Sequence, residues 1–278
     1  EGDPGGGRHV TLRAGEGPLR LDRRVAIVTG AARGLGEATA RVLAHCGATM
    51  ALCDRLETEN FRAFEDTSGI DDRSPRVLRR VCDVRDAEAV RGFVDEVVAS
   101  WGRVDVLVNN AGGTFAAPFL ATSDKGVERL VAENFTQVTR LVRLVVPHMP
   151  AGGAIVNVTS VEAHQGAPGF AVYAAMKAAV DNLTKSLALE LAPRGIRVNA
   201  IAPDAISSTG ERDTREQFLA DDVAFEPVHL PPLGFMGSPE DAAWAVAFLA
   251  GDAARFVTGT TVHVDGGTHA AGGWRRRS

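Results

Sequence analysis

Cysteine is scarce in this sequence. The 278 residues contain three, Cys46, Cys53 and Cys82, an odd number without metal-ligand spacing. That excludes a disulfide framework and suits a reducing, cytoplasmic setting. Cys53 and Cys82 each precede an aspartate at the end of an apolar run, so both read as small buried thiols. No run of 18 apolar residues occurs, which excludes a membrane-spanning helix of the usual kind, and residues 1–20 lack the apolar stretch of a signal peptide. Positive charge is not in excess. Thirty Lys and Arg stand against 35 Asp and Glu, a net charge of −5, which argues against a nucleic-acid partner. The one basic cluster, Arg275–Arg277, reads as a solvated tail. The histidines are dispersed along the chain with no Cys or Asp cluster beside them, so no metal site is expected. Tyrosine is nearly absent: Tyr173 is the only one.

What remains is a balanced globular composition, 45% hydrophobic and 23% charged, long enough for one sizeable core. Residues 1–20, rich in Gly, Arg and Pro, read as a flexible leader, residues 21–270 as one domain, and 271–278 as a basic C-terminal tail. Short apolar runs lie at Val25–Thr29, Thr49–Cys53, Val77–Cys82, Val104–Val108, Ala154–Thr159, Arg197–Ile201 and Thr260–Val264. Amphipathic stretches at Gly36–Cys46, Ala87–Ser100, Gly126–His148, Phe170–Leu191 and Pro239–Ala250 separate most of them. Strands that are apolar nearly throughout, alternating with helices, predict an α/β fold with a doubly wound parallel sheet covered on both faces. The stretch 204–237 breaks the rhythm. Its Phe218, Phe225, Leu230, Leu233, Phe235 and Met236 suggest a lid over a site.

The first strand runs into TGAARGLG (29–36), where Gly30, Gly34 and Gly36 permit a tight turn into a helix. Such a turn lets the backbone approach a pyrophosphate, which then rests on the helix N-terminus. Asp54 ends the second strand, 18 residues after Gly36, where a carboxylate can accept from an adenosine ribose hydroxyl. Its charge repels a 2′-phosphate, so NAD is expected over NADP, although Arg33 and Arg55 pull mildly the other way.

Lys177 follows Tyr173 at i+4 in a strongly helical stretch, which puts both on one helix face. An ammonium beside a phenol is expected to favour the phenolate and lower the tyrosine pKa. Ser160, thirteen residues upstream of Tyr173, ends the fifth apolar run. In parallel α/β sheets ligands bind beyond such strand ends, where a hydroxyl can polarise a carbonyl.

These pieces resemble the short-chain dehydrogenase/reductase family in its single-domain form: TGAARGLG (29–36), CDV (82–84), NNAG (109–112), Asn134 in ENFTQ, Ser160 in NVTS, YAAMK (173–177), IRVNAIAP (196–203) and VTGTTVHVDGG (257–267). They occur in family order over roughly residues 22–268. The resemblance implies a Rossmann-type sheet of about seven strands in the order 3-2-1-4-5-6-7. It implies hydride transfer between a nicotinamide and a small-molecule secondary alcohol or ketone, with Asn134, Ser160, Tyr173 and Lys177 catalytic. Gly30, Arg33, Gly34, Leu35 and Gly36 would cradle the cofactor. Asp83 would bond the adenine amino group with Val84 packed beside it, and Asn110, Ala111 and Gly112 would line the cofactor. Pro203, Ile206 and Ser208 would reach the nicotinamide end, and Tyr173 and Lys177 the nicotinamide ribose. Asn134 would hold a water that joins Lys177 to solvent. A homotetramer, paired through the helices at 126–148 and 170–191, is the implied assembly.

Three positions depart from the family pattern. Pro203 is followed by Asp204 where glycine is usual, Ser208 stands for a common threonine, and Met176 for a small polar residue. Glu162, His164 and Gln165 follow Ser160 on the substrate side. The apolar lid with Phe115, Phe119 and Phe170 suggests a bulky apolar substrate, steroid- or terpenoid-like. Two alternatives stay open: a 3-oxoacyl-thioester reductase, and a non-catalytic dinucleotide-binding sensor or scaffold.

Overall fold

The computed structural model describes residues 17–64, 77–207 and 230–272. Its centre is a seven-stranded sheet: β1 (Val25–Thr29), β2 (Thr49–Asp54), β3 (Val77–Val81), β4 (Val106–Asn109), β5 (Ala154–Val158), β6 (Arg197–Pro203) and β7 (Thr261–Val264). The strand order is β3-β2-β1-β4-β5-β6-β7 and every pairing is parallel, as expected. The helices are α1 (Gly34–His45), α2 (Glu59–Ala63), α3 (Ala87–Trp101), α4 (Asp124–Val131), α5 (Gln137–Val145), α6 (Ala171–Leu191), α7 (Pro239–Ala250) and α8 (Thr268–Ala271).

Period-two alternation divides the core between the two faces. Ala26, Val28, Met50, Leu52, Val106, Val108, Val156 and Val158 point toward α1 and α7, whose contact is built on small residues such as Ala38, Ala40, Ala243 and Ala247. Val25, Ile27, Ala51, Leu107 and Ile155 point the other way, onto Phe93 and Val97 of α3 and Leu141 and Val145 of α5. Each fully buried Ile, Leu or Val contributes about 1.5–3 kcal/mol of transfer free energy. This two-sided core fixes where the strand ends lie, and hence where the site lies. The chain turns outward in opposite directions from β1 and β4, opening a crevice at their C-terminal ends.

Helix boundaries follow local chemistry. Asp86 caps α3 by accepting from Glu88 and Ala89 N–H, and Gly102, with φ +73°, ends it. Ser238 and Asp241 form a reciprocal capping box on α7. The single helix expected over 126–148 is interrupted by a π-helical turn at Ala132–Thr136. There the Asn134 amide donates to Leu130 O at 3.0 Å, a carbonyl one turn back. The end of the leader is tied to the body: Ala253 N–H donates to Pro18 O at 3.1 Å, and Leu19 packs on the core.

Residues 1–16 of the expected leader, the tail from 273, and residues 208–229 of the expected lid lie outside the described residues. Of the lid aromatics, Phe218 and Phe225 fall there, while Phe235 is described and exposed. All three cysteines are free and buried. Among the described residues, no helix is long and apolar enough to cross a membrane.

Candidate active site

The glycine turn sits at the head of β1. Gly30 has φ +67°, a left-handed conformation that other residues adopt only with strain. At Gly36 a Cβ would lie 1.9 Å from Gly30 O, so no side chain fits. Arg33 precedes α1 with extended backbone and an exposed side chain, and Leu35 is half-buried in the first turn. Asn110 binds this turn to the neighbouring strand: its amide donates to Thr29 O at 2.8 Å and Gly30 O at 3.1 Å. Thr29 Oγ1 accepts from the N–H groups of Asn110 and Ala111. The cradle is thus held from β4 as well as β1, a role for Thr29 that its sequence neighbourhood does not announce.

Asp54 is buried at the end of β2. Its carboxylate accepts from Ala32 N–H and from Leu56 N–H, each at 2.9 Å, which fixes it against the cradle. Asp83 lies at the end of β3 with Val84 buried beside it. Arg85 holds Asp83 through Nε at 2.9 Å and Nη2 at 2.5 Å, and this hydrogen-bonded guanidinium keeps the Asp83 carboxyl below the usual range. Any adenine contact would therefore share Asp83 with Arg85.

The residues expected to be catalytic converge where β5 ends against α6. Ser160 follows β5 in extended backbone and is buried. Tyr173 stands in the first turn of α6, close enough to Ser160 for the hydroxyl to act on its phenol. Lys177, one turn on, lies with Nζ 5.5 Å from the centre of the Tyr173 ring and donates to Val158 O at 2.9 Å. From the other side, the π turn presents Asn134, which donates to Gly113 O at 2.8 Å and accepts from Gly113 N–H at 3.3 Å. A Cβ on Gly112 would lie 2.9 Å from Asn134 Oδ1 and 3.3 Å from Lys177 Nζ. Asn134 and Lys177 therefore face a common space that only glycine leaves open. Beneath it, the Asn109 amide donates to Asn157 Oδ1, and the Asn157 amide to Thr184 Oγ1, locking β4, β5 and α6 together.

One expectation is corrected. Tyr173 is not made more acidic here; its pKa is raised, first by burial and then by the negative Glu162, while the Ser160 hydrogen bond opposes them. Burial also brings Lys177 down to about 8, with Glu162 and Glu133 pulling it back up. The ammonium sits above the ring and is spent on Val158 O, so spacing along the helix brought proximity without the expected acidification.

Two carboxylates complete the pocket. Ser160 Oγ donates to Glu162 Oε2. Burial raises Glu162 to about 7, and Asp204 adds to the effect. Asp204 is itself raised, by burial first. The altered turn after Pro203 places the left-handed residue at Ala205, with φ +52°. Ile206 then bridges to Gly237, anchoring the near end of the lid stretch. Ser208 lies outside the described residues.

Phe115, Phe119 and Phe170 line one small recess with Ala117, Thr122, Leu130 and Val172. The histidines, dispersed in sequence, are partly gathered in space. His263 stacks on His269 with centroids 3.9 Å apart, and His164 lies 4.7 Å from His263. Among the described residues, no group of three or more His, Cys, Asp or Glu is arranged to hold a metal.

A glycine turn at a sheet crossover, a strand-end carboxylate and a Ser–Tyr–Lys group are the arrangement expected of an α/β oxidoreductase that takes a nicotinamide dinucleotide. Comparison with known proteins gives the family. Residues 30–269 match a family model described as "Enoyl-(Acyl carrier protein) reductase". The chain is 38% identical over 253 residues to 3-oxoacyl-(acyl-carrier-protein) reductase FabG of Thermotoga maritima, covering 90% of this chain and 99% of that one. It is 39% identical over 252 residues to 3beta-hydroxysteroid dehydrogenase 1 of Eggerthella lenta, covering 89% and 94%. The crystal structure of levodione reductase superposes with a TM-score of 0.83 at 32% identity, covering 91% and 100%. The chain belongs to the short-chain dehydrogenase/reductase family and is an oxidoreductase that binds NAD or NADP.

Proposed function

We propose that this protein is an NAD-dependent secondary-alcohol dehydrogenase/ketone reductase whose reacting centre is Ser160, Tyr173, Lys177 and Asn134. The observation that carries the reading is the convergence of Tyr173, Ser160 and Lys177 at the end of β5. The cofactor fits the residues present. Gly30 and Gly36 permit the tight turn, the helix N-terminus of α1 offers N–H groups to a pyrophosphate, and Asp54 ends β2 where a ribose hydroxyl would be expected. The carboxylate of Asp54 supports NAD over NADP. When bound, the nicotinamide supplies the hydride acceptor or donor.

The chain's own residues manage the substrate oxygen. In oxidation, Tyr173 in its phenolate form would take the O–H proton and pass it on to solvent, while a bound oxidised nicotinamide would accept the hydride from the carbinol carbon, giving the ketone and one proton overall. In reduction, Tyr173 returns that proton to the forming alkoxide. Ser160 orients the oxygen, Lys177 stabilises negative charge near the phenol, and Asn134 shares its space with the ammonium, where a relay water would sit. Exposed Phe256, Leu189 and Trp244 support assembly into a homotetramer, and the buried free thiols support a cytoplasmic setting.

The test is a spectrophotometric screen of ketones and secondary alcohols with both cofactor pairs, on wild type and Tyr173→Phe. We expect turnover with NAD or NADH and a fall of about 10²–10⁴-fold in kcat for the variant. Undiminished turnover in Tyr173→Phe would end the mechanism, and a strong preference for NADPH would end the reading of Asp54.

A further inference from the structure

Three histidines from three elements meet beside α6: His164 from the loop after β5, His263 from β7 and His269 from α8. His263 and His269 lie face to face, centroids 3.9 Å apart and planes 6° from parallel. His164 packs against both, at 4.7 Å from His263 and 5.2 Å from His269. His164 is also the far end of a turn that begins at Ser160. Ala163 N–H donates to Ser160 O at 3.1 Å, and His164 N–H donates to Val161 O at 2.9 Å. Movement of His164 therefore reaches Ser160 through one hydrogen-bonded turn.

The grouping suits neutral rings. Two stacked imidazoles cannot both take a proton without bringing like charges into contact. The Nε2 atoms of His164 and His263 are enclosed and meet no hydrogen-bond partner among the described residues, so a proton placed there would point at no acceptor. The charged neighbours are already engaged. Asp181 of α6 stands 3.8 Å from His164 Nε2, beyond hydrogen-bond length, and accepts from Lys185 Nζ at 2.6 Å and from Thr261 Oγ1. Asp265 accepts from Gly267 N–H at 2.9 Å and His269 N–H at 2.7 Å. Asp204, in the turn after β6 and close to Thr268, and Glu162, two residues before His164, also carry charge here. Burial, then the imidazoles of His269 and His164, hold His263 below the ordinary histidine value, against the pull of Asp265 and Asp181.

We propose that His263 and His269 are positioning residues that clasp His164, and through it the Ser160 loop, only while the cluster is uncharged. Proton uptake in mild acid then releases the loop, the end of β7 and α8 together. The opened cluster binds protons more readily than the closed one. Closure is therefore complete above the ordinary histidine value of about 6.5 and weakens as pH falls below it. The effect on catalysis rests on the reading of Ser160 as part of the reacting centre; the clasp itself does not.

The experiment is amide hydrogen exchange, read by mass spectrometry on the full cofactor-free chain at pH 7.5 and pH 5, with rates corrected for their intrinsic pH dependence. Wild type is compared with His269→Phe and with His263→Phe/His269→Phe. Phenylalanine keeps a flat ring in the stack and takes no proton, while Glu162 titrates alike in all three chains. In wild type, peptides over 161–166 and 260–272 should both lose protection by about tenfold or more at pH 5, since each extra proton taken up on opening contributes about a factor of ten per pH unit. Peptides over β1 should keep theirs. His269→Phe should lose less, and the double variant should hold its protection at both pH values. If the double variant does not fold, His269→Phe, altered at an exposed position, decides by the same comparison. A wild type equally protected at both pH values overturns the proposal. So does an acid loss that persists in the variants, or one confined to 260–272 while 161–166 is unaltered. On an alcohol that the chain oxidises, kcat of wild type should fall between pH 7.5 and pH 5 more steeply than that of the double variant. Parallel kcat profiles would overturn the positioning of Ser160. A chain inactive on every secondary alcohol and ketone removes the dehydrogenase reading, and the exchange result still decides the clasp.

Discussion

Glu162→Gln should make the protein more stable at neutral pH and leave it nearly unaltered in mild acid. Burial lifts the Glu162 carboxyl from 4.5 to about 7. A carboxyl more basic when folded than when unfolded holds extra proton in the folded state between those two values. Stability therefore falls as pH rises from about 4.5 to about 7, and the loss is complete above 7. At about 1.36 kcal/mol per pH unit, the interval amounts to about 3 kcal/mol; water entry and local relaxation reduce it to about 1–3 kcal/mol. Glutamine keeps the volume and a carbonyl oxygen that can still accept from Ser160 Oγ, so the substitution removes charge and little else. The gain should be read as thermal unfolding of the cofactor-free protein at pH 7.5 and pH 5. With roughly 2–4 °C per kcal/mol for a domain of this size, the variant should melt several degrees higher at pH 7.5, and most of that gap should close at pH 5. A gap of equal size at both pH values would refute the reasoning, as would a variant less stable than wild type at pH 7.5.

Two further substitutions probe the cofactor cradle. Gly36→Ala forces a Cβ to within 1.9 Å of Gly30 O, so the turn must open; NADH titration by fluorescence should show binding weakened about tenfold or more, equivalent to about 1.4 kcal/mol, and unaltered binding would contradict the role given to the turn. Asp54→Asn leaves one acceptor for two backbone donors, Ala32 and Leu56 N–H. It should destabilise the fold by about 1–3 kcal/mol while the kcat/KM ratio of NAD to NADP moves toward NADP, and a stability loss with no movement in that ratio would confine Asp54 to structure.

The architecture was legible because its signals are local and repeated. Seven apolar runs became seven strands with ends within two residues of expectation, since a strand buried on both faces has few sequence alternatives. The positions proposed for the site are legible for a related reason. Gly30, Gly36, Asp54, Ser160 and Tyr173 lie at strand ends or in the first turns of helices, where position in sequence translates directly into position in the crevice. The π turn at Ala132–Thr136 was not legible, because it depends on Asn134 reaching Leu130 O and Gly113 O, the latter a contact across 21 residues. The grouping of His164, His263 and His269 was equally hidden, since it joins a loop after β5 to β7 and α8.

The acidity of Tyr173 shows where such reading ends. The pair Tyr173 and Lys177 was read correctly as neighbours on one helix face, yet the inference from neighbourhood to a lowered pKa failed. An ammonium acidifies a phenol only by the amount its field exceeds the loss of solvation. Here Lys177 is buried and Tyr173 partly so, one ammonium donor goes to Val158 O, and the negative Glu162 acts on the phenol with the contrary sign. That balance involves β5, the turn after it and the loop after β6, and no spacing within α6 could report it. The neutral phenol is the form this environment favours, which is the form that donates a proton to an alkoxide. In the proposed oxidation Tyr173 must first become a base, and the field that permits it has to come from groups that arrive with the ligands, such as the positive charge of an oxidised nicotinamide.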